Sequence, residues 1–165
     1  MNHEVRMLLR ILGLIFAITF LSGCVSSVTY LTDEKIVAPK VIALNASKAP
    51  WIYEIQKRLK KEGFKVLRSS SRSKVTEQIN PSTLETYNKA EARYVLDITG
   101  HAPLGLMRRC VGGGYKFDYI SVDLVDINTN ETILNYSDSG YSENCPPLSG
   151  NIFSNITEAV LNAWE

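Results

Sequence analysis

Two apolar periods run through this chain, one of about three and a half residues and one of two, and they divide it into elements. Residues 40–44 form a short apolar run after Pro39, the pattern of a buried strand. Trp51, Ile52, Ile55 and Leu59 then fall on one helical stripe, with Ser47 as N-cap and Pro50 in the first turn. Gly63 is placed to stop that helix, and residues 64–67 read as a second strand, so residues 40–68 form a β-α-β unit. At residues 93–99 the period drops to two. Tyr94, Leu96 and Ile98 alternate with Val95, Asp97 and Thr99. In residues 115–127, Ile120, Val122 and Leu124 share a face opposite Ser121 and Asp123. Asn128, Thr129 and Asn130 make a turn, and residues 132–136 return, which is a β-hairpin signal. A last helix is predicted over 151–164, with Ile152, Phe153, Ile156, Ala159, Val160, Ala163 and Trp164 as a broad apolar stripe.

The intervening stretches carry weaker patterns. Residues 25–38 are small and polar, a tether with an edge strand at 28–31. Residues 68–74 form a Ser-rich loop, and in 75–92 Pro81 breaks the pattern while Ser82 caps a short helix to Ala90. Residues 100–114 are irregular, with Pro103 and five glycines, and 137–150 read as a loop. The order β-α-β-(α)-β-β-β-α predicts an α+β fold. Its single, mostly antiparallel sheet carries two main helices on one face. The sequence shows neither an internal repeat nor a second domain.

The first residues are of a different kind. Arg6 and Arg10 precede an apolar run from residue 11 to 21. That run is short of the ~20 residues a membrane-crossing helix needs and suits a secretory signal. It ends in Leu21-Ser22-Gly23-Cys24, which resembles the lipobox of bacterial lipoproteins at all four positions. The resemblance implies cleavage before Cys24, a diacylglycerol thioether on its sulfur and acylation of the freed amine. Two or more acyl chains anchor stably where one does not. Val25, where an aspartate would tend to retain such a protein at the inner membrane, implies the outer membrane of a Gram-negative cell, facing the periplasm. The chain is therefore expected to comprise a signal peptide (1–23), a lipidated tether (24–38) and one α+β domain (39–165).

Charge and cysteine content narrow the chemistry. The net charge is +1, and removing residues 1–23 takes away Arg6, Arg10 and Glu4 and leaves a neutral remainder. Nucleic-acid binding would call for a basic excess, so no nucleic-acid partner is expected. With Cys24 consumed by lipid, Cys110 and Cys145 are left as a pair, placed almost evenly about the hairpin turn. Residues equidistant from an antiparallel turn face each other, so a disulfide at the open end of the hairpin is expected. The alternatives are two buried thiols or a metal pair. A zinc site needs further ligands, and beyond Cys24 the only histidine is His101. No metal and no cofactor is expected.

The remaining candidates are surfaces. His101 follows Asp97 by four residues, and serines are plentiful, but no Gly-x-Ser-x-Gly elbow is present. Gly112-Gly113-Gly114 precedes a strand and lacks the Gly-Lys-Ser/Thr of a phosphate loop, which favours a bend into the hairpin. Tyr115, Phe117 and Tyr119 alternate opposite Ile120 and Val122, and with helices covering the Ile/Val face they would form an open aromatic row, a candidate partner surface. Arg68, Arg72, Lys74, Arg108 and Arg109 form a candidate patch for an anionic envelope ligand such as lipid, lipopolysaccharide or peptidoglycan.

The strand at 41–44, the helix through Leu59, Gly63-Phe64, the strand Tyr94-Val95-Leu96, the hairpin and the C-terminal helix resemble small periplasmic lipoprotein domains with a β-α-β-β-β-α core. Among these are the N-terminal domain type of the Tol-system propeller protein and the curli-secretion lipoprotein; the lipopolysaccharide-assembly lipoprotein has a comparable layout and acts by binding a barrel partner. The resemblance implies the fold; with no catalytic constellation among the residues, a non-enzymatic, lipid-anchored protein that binds a protein partner in the envelope is expected, the alternative being a binder of an anionic envelope ligand. The resemblance transfers no site residue.

Overall fold

The computed structural model describes residues 26–68, 92–103 and 110–165, with Arg68 described in its backbone alone. In chain order the elements are β1 (Ser27–Tyr30), β2 (Val41–Ala46), α1 (Pro50–Lys61), β3 (Lys65–Arg68), β4 (Tyr94–His101), β5 (Lys116–Asp126), β6 (Glu131–Tyr141) and α2 (Ile152–Asn162). The six strands form one open sheet in the order β1-β6-β5-β4-β2-β3. β2 pairs parallel with β3 and β4, and the remaining neighbours are antiparallel, so the sheet is mixed and the fold α+β.

Both helices bury their stripes on one side of this sheet. Trp51, Ile52, Ile55 and Leu59 of α1 and Ile152, Phe153, Ile156 and Val160 of α2 are buried. They meet a row of leucines that crosses the sheet in register, Leu44–Leu96–Leu124–Leu134, flanked by Ile42, Ile98, Val122 and Tyr136. Each such side chain contributes roughly 1.5–3 kcal/mol by leaving water. Trp164 closes the far end of this core between Phe64 and Tyr94, with ring centroids 5.1 and 5.2 Å away.

The start and stop signals act in part as expected. Ser47 is not the N-cap of α1: the helix begins at Pro50 after Ala49, which offers no side-chain acceptor, and Pro50 has no N–H to satisfy. The C-terminus closes at Gly63, whose φ of +87° directs the Phe64 N–H onto Leu59 O at 3.0 Å and the Gly63 N–H onto Lys60 O at 3.1 Å. Three basic residues in the last turn, Arg58, Lys60 and Lys61, match the negative end of the helix dipole.

Three expectations change. Residues 27–30 are a strand of the sheet, and Ile36 is buried with its N–H on Ala163 O at 2.8 Å. Residues 27–30 and Ile36, within the stretch read as a tether, therefore pack with the sheet. β6 continues to Tyr141, five residues past the expected end, because β5 is long enough to pair with it throughout. And β5 is bulged: Phe117 pairs with Gly140 and Ile120 with Asp138, so two β5 residues stand against one of β6. The extra residue reverses side-chain parity, and Phe117 shares a face with Ile120. The segment 75–92, with its short helix to Ala90, lies outside the described residues save for Ala92.

Candidate functional site

The side of the sheet without a described helix carries a polar row directly beside the leucine row. In register across five strands it reads Asn45–Asp97–Asp123–Asn135–Thr29. Two carboxylates are thus direct cross-strand neighbours, an arrangement that costs stability unless each is engaged. Each is. Asn45 Nδ2 donates to Asp97 Oδ1, and Asn135 Nδ2 donates to Asp123 Oδ1 at 2.6 Å. Burial, followed by the charge of Asp123, still pushes the Asp97 carboxyl above the ordinary carboxylate range, against the opposing effect of the Asn45 amide. The next row, Thr99–Ser121–Ser137–Ser27, is hydroxylic, with Ser27 Oγ and Ser137 Oγ 2.7 Å apart. The face is a flat array of amide, carboxylate and hydroxyl groups. Such an array can hydrogen-bond a partner.

At the upper margin of this face, His101 Nδ1 lies 2.8 Å from Asp118 Oδ2, both side chains exposed. The carboxylate beside His101 is therefore Asp118, brought there by the β4–β5 pairing and the bulge. Asp97, four residues earlier on the same strand, is turned to Asn45.

The same end of the molecule holds the cysteines. Cys110 and Cys145 form a disulfide, with Cα atoms 4.8 Å apart and a sequence separation of 35. The Gly triplet serves this junction. Gly113 takes φ +85° in the turn, and a Cβ on Gly114 would sit 2.2 Å from Glu143 O and 2.7 Å from Cys145 Sγ. Glu143 reaches back to the start of α2. Its carboxylate accepts from the N–H groups of Phe153 (3.2 Å) and Ser154 (2.8 Å) and from Ser154 Oγ (2.7 Å), and Arg58 Nη2 lies 3.4 Å away. Beside the disulfide is a cleft of about 430 Å³ lined by Val111, Lys116, Asp118, Tyr141, Pro147 and Leu148.

The expected aromatic row is not a surface. Phe117 is 1 % exposed and Tyr115 is buried, packed with Trp51 and Phe153, and Tyr119 alone of the three is exposed, at 53 %. The bulge between Phe117 and Ile120 is the reason. Cys24, Arg72, Lys74, Arg108, Arg109 and the side chain of Arg68 lie outside the described residues. Sequence reasoning passed over Asn45, Asp123, Asn135 and Glu143. The first three carry a legible signal, since polar residues recur at the outward positions of each strand; their alignment into one row depends on register.

No protein-family model and no curated protein sequence matches the chain. Among solved structures it is similar to the PelC dodecamer from Paraburkholderia phytofirmans (16 % identity, 84 % of this chain and 94 % of that one, TM-score 0.42). It is also similar to TolB from Acinetobacter baumannii (14 % identity, 86 % of this chain and 31 % of that one, TM-score 0.41). A third is a putative neuraminyllactose-binding hemagglutinin homolog from Helicobacter pylori (13 % identity, 82 % and 86 % covered, TM-score 0.28). At these scores no property of those proteins is transferred to this chain.

Proposed function

We propose that this chain is a lipid-anchored cell-envelope lipoprotein of an outer membrane, facing the periplasm, that works by binding a protein partner and not by catalysis. The observation that carries the reading is the sequence Leu21-Ser22-Gly23-Cys24 at the end of an apolar run preceded by Arg6 and Arg10. The Cys110–Cys145 bond is consistent with an oxidising compartment. The partner surface in this reading is the polar face of the sheet, from Asn45 to Asn135 with Tyr119 at its margin. With Tyr115 and Phe117 in the core, Tyr119 is the aromatic residue of the three that a partner can reach.

The test is the mass of the protein extracted from membranes. The expected chain begins at Cys24 and carries a diacylglycerol and a further acyl group, and Cys24→Ala leaves residues 1–23 attached and the protein unacylated. An unacylated wild-type chain would refute the anchor. For the partner, crosslinking in membranes followed by affinity capture should recover a protein from the wild type that Tyr119→Ala loses. Identical capture lists would refute the assignment of this face.

A further inference from the structure

β1 begins at Ser27, three residues after Cys24. Three extended residues span at most about 11 Å. The lipid attachment point is therefore held within that distance of one corner of the sheet, and the corner is identifiable. Ser27 pairs with Ser137, Ser137 with Ser121 and Ser121 with Thr99, so the chain enters at the end of the sheet where β4 finishes at His101 and β6 at Tyr141. This is the disulfide end. The Ser27 row lies five β5 residues from Asp126 and five from Lys116, so the two ends of the sheet are comparably far from it, roughly 17 Å, and the direction of β1, antiparallel to β6, points the chain before Ser27 to the disulfide end. A tether of about 11 Å that continues the line of β1 ends near the level of Gly140, whereas approaching the Asn128–Asn130 turn would require it to reverse along the sheet.

Two exposed apolar side chains sit at the disulfide end without a role in the core. Val111 is 99 % exposed, and Leu148 is 60 % exposed. Each adjoins the disulfide in sequence, Val111 directly after Cys110 and Leu148 with its N–H on Cys145 O at 2.8 Å, so their separation is set by the cross-link. Lys116, the first residue of β5, lines the same cleft as these two, with its Nζ 5.5 Å from the centroid of the Tyr141 ring. This is the pairing of an amphipathic ring and a cation that suits a headgroup layer. The carboxylates here are occupied: Asp118 by His101, Asp138 by the Tyr136 hydroxyl, and Glu143 by the start of α2.

We propose that the disulfide end of the domain is its membrane-facing end, with Val111 and Leu148 seated in the interfacial layer of the leaflet that holds the acyl chains of Cys24. The proposal rests on the lipoprotein reading and adds an orientation to it. The sheet then stands with its strands steep to the bilayer, and its polar face remains open to a partner. Lying on the β1 edge instead would press unpaired backbone groups of an edge strand, with the hydroxyls of Ser27 and Thr29, into a medium that cannot hydrogen-bond them.

The test places a photo-crosslinking benzophenone amino acid at position 111, 148, 31, 37 or 129 of the full chain. Each acylated protein is reconstituted into vesicles of phosphatidylethanolamine and phosphatidylglycerol. After illumination, mass spectrometry reads the fraction carrying a crosslinked phospholipid. Positions 111 and 148 should crosslink several-fold more than 31, on the β1 edge, and than 37 and 129. The orientation is overturned, with the anchor intact, if acylated protein crosslinks equally at all five positions or most at 31, 37 or 129. If the intact mass shows no acyl group on Cys24, both the anchor and the orientation built on it fail.

Discussion

The two faces of the sheet are built from the same strands, one residue out of step, and they behave as different materials. On one, Leu44, Leu96, Leu124 and Leu134 meet two helices and are dry. On the other, the immediately adjacent Asn45, Asp97, Asp123 and Asn135 form a polar row, Asn45 exposed and the other three half-buried, in which each amide engages a carboxylate. The dry face is held by burial, which tolerates exchange of one aliphatic group for another of like volume. The polar face is held by matched donors and acceptors, where loss of one partner leaves the other desolvated. A single bulge decides which β5 residues belong to which face.

The strongest way to break this comparison is at Phe117 and Tyr119, two positions apart on β5. Phe117→Ala should destabilise the domain by about 3–5 kcal/mol, since it empties a site between Trp51 and Phe153. Tyr119→Ala should change stability by less than about 0.5 kcal/mol. Urea unfolding of both variants tests the bulge, because an unbulged strand would place both residues on one face and bring the two values together. Next in size is the disulfide. Replacing Cys110 and Cys145 by Ala opens a loop of 35 residues and should cost about 4 kcal/mol on the chain-entropy account. The same loss should appear in the wild type on adding reductant to the unfolding series.

Glu143→Ala tests how the helical layer is fixed over the dry face. It removes the acceptor for two N–H groups at the start of α2 and should lower stability by about 1–2 kcal/mol. Glu143→Gln, which keeps an acceptor, should recover part of it.

The smallest effect belongs to the polar row and has the opposite sign. The Asp97 carboxyl is raised in the folded state, so the folded protein binds more protons than the unfolded chain between the two values. Stability contributed through Asp97 therefore falls as pH rises through that window, and at neutral pH the charged form is a cost. Asp97→Asn should raise the midpoint of thermal unfolding slightly at neutral pH, an advantage that shrinks as pH falls into the carboxylate range. A variant less stable than the wild type at neutral pH would show that the charge itself stabilises the row.

How much of this was legible depends on the range of the interaction. The stripe of α1, the alternation of β4, the hairpin turn and the Gly63 stop are local, and each was readable because period and turn chemistry act over a few residues. The N-cap was misplaced, since Ser47 is a good capping residue and Pro50 removes the need for one. β1 carried a faint edge-strand pattern within the tether; its membership of the sheet is set by β6, more than a hundred residues away. The polar row was visible as outward polar positions and invisible as a row, because alignment across five strands is a matter of register.

The pattern of residues by itself determined the class of fold, the helix on which Trp51 and Leu59 lie, and the pairing geometry that brings Cys110 towards Cys145. Only the tertiary structure decided which aromatic side chains are buried. Parity along a strand is a local rule that holds until a residue is inserted, and whether one is inserted depends on the partner strand. Phe117 lies in the core because Gly140 and Asp138 leave one residue of β6 against two of β5, and because Trp51 and Phe153 offer it a place there.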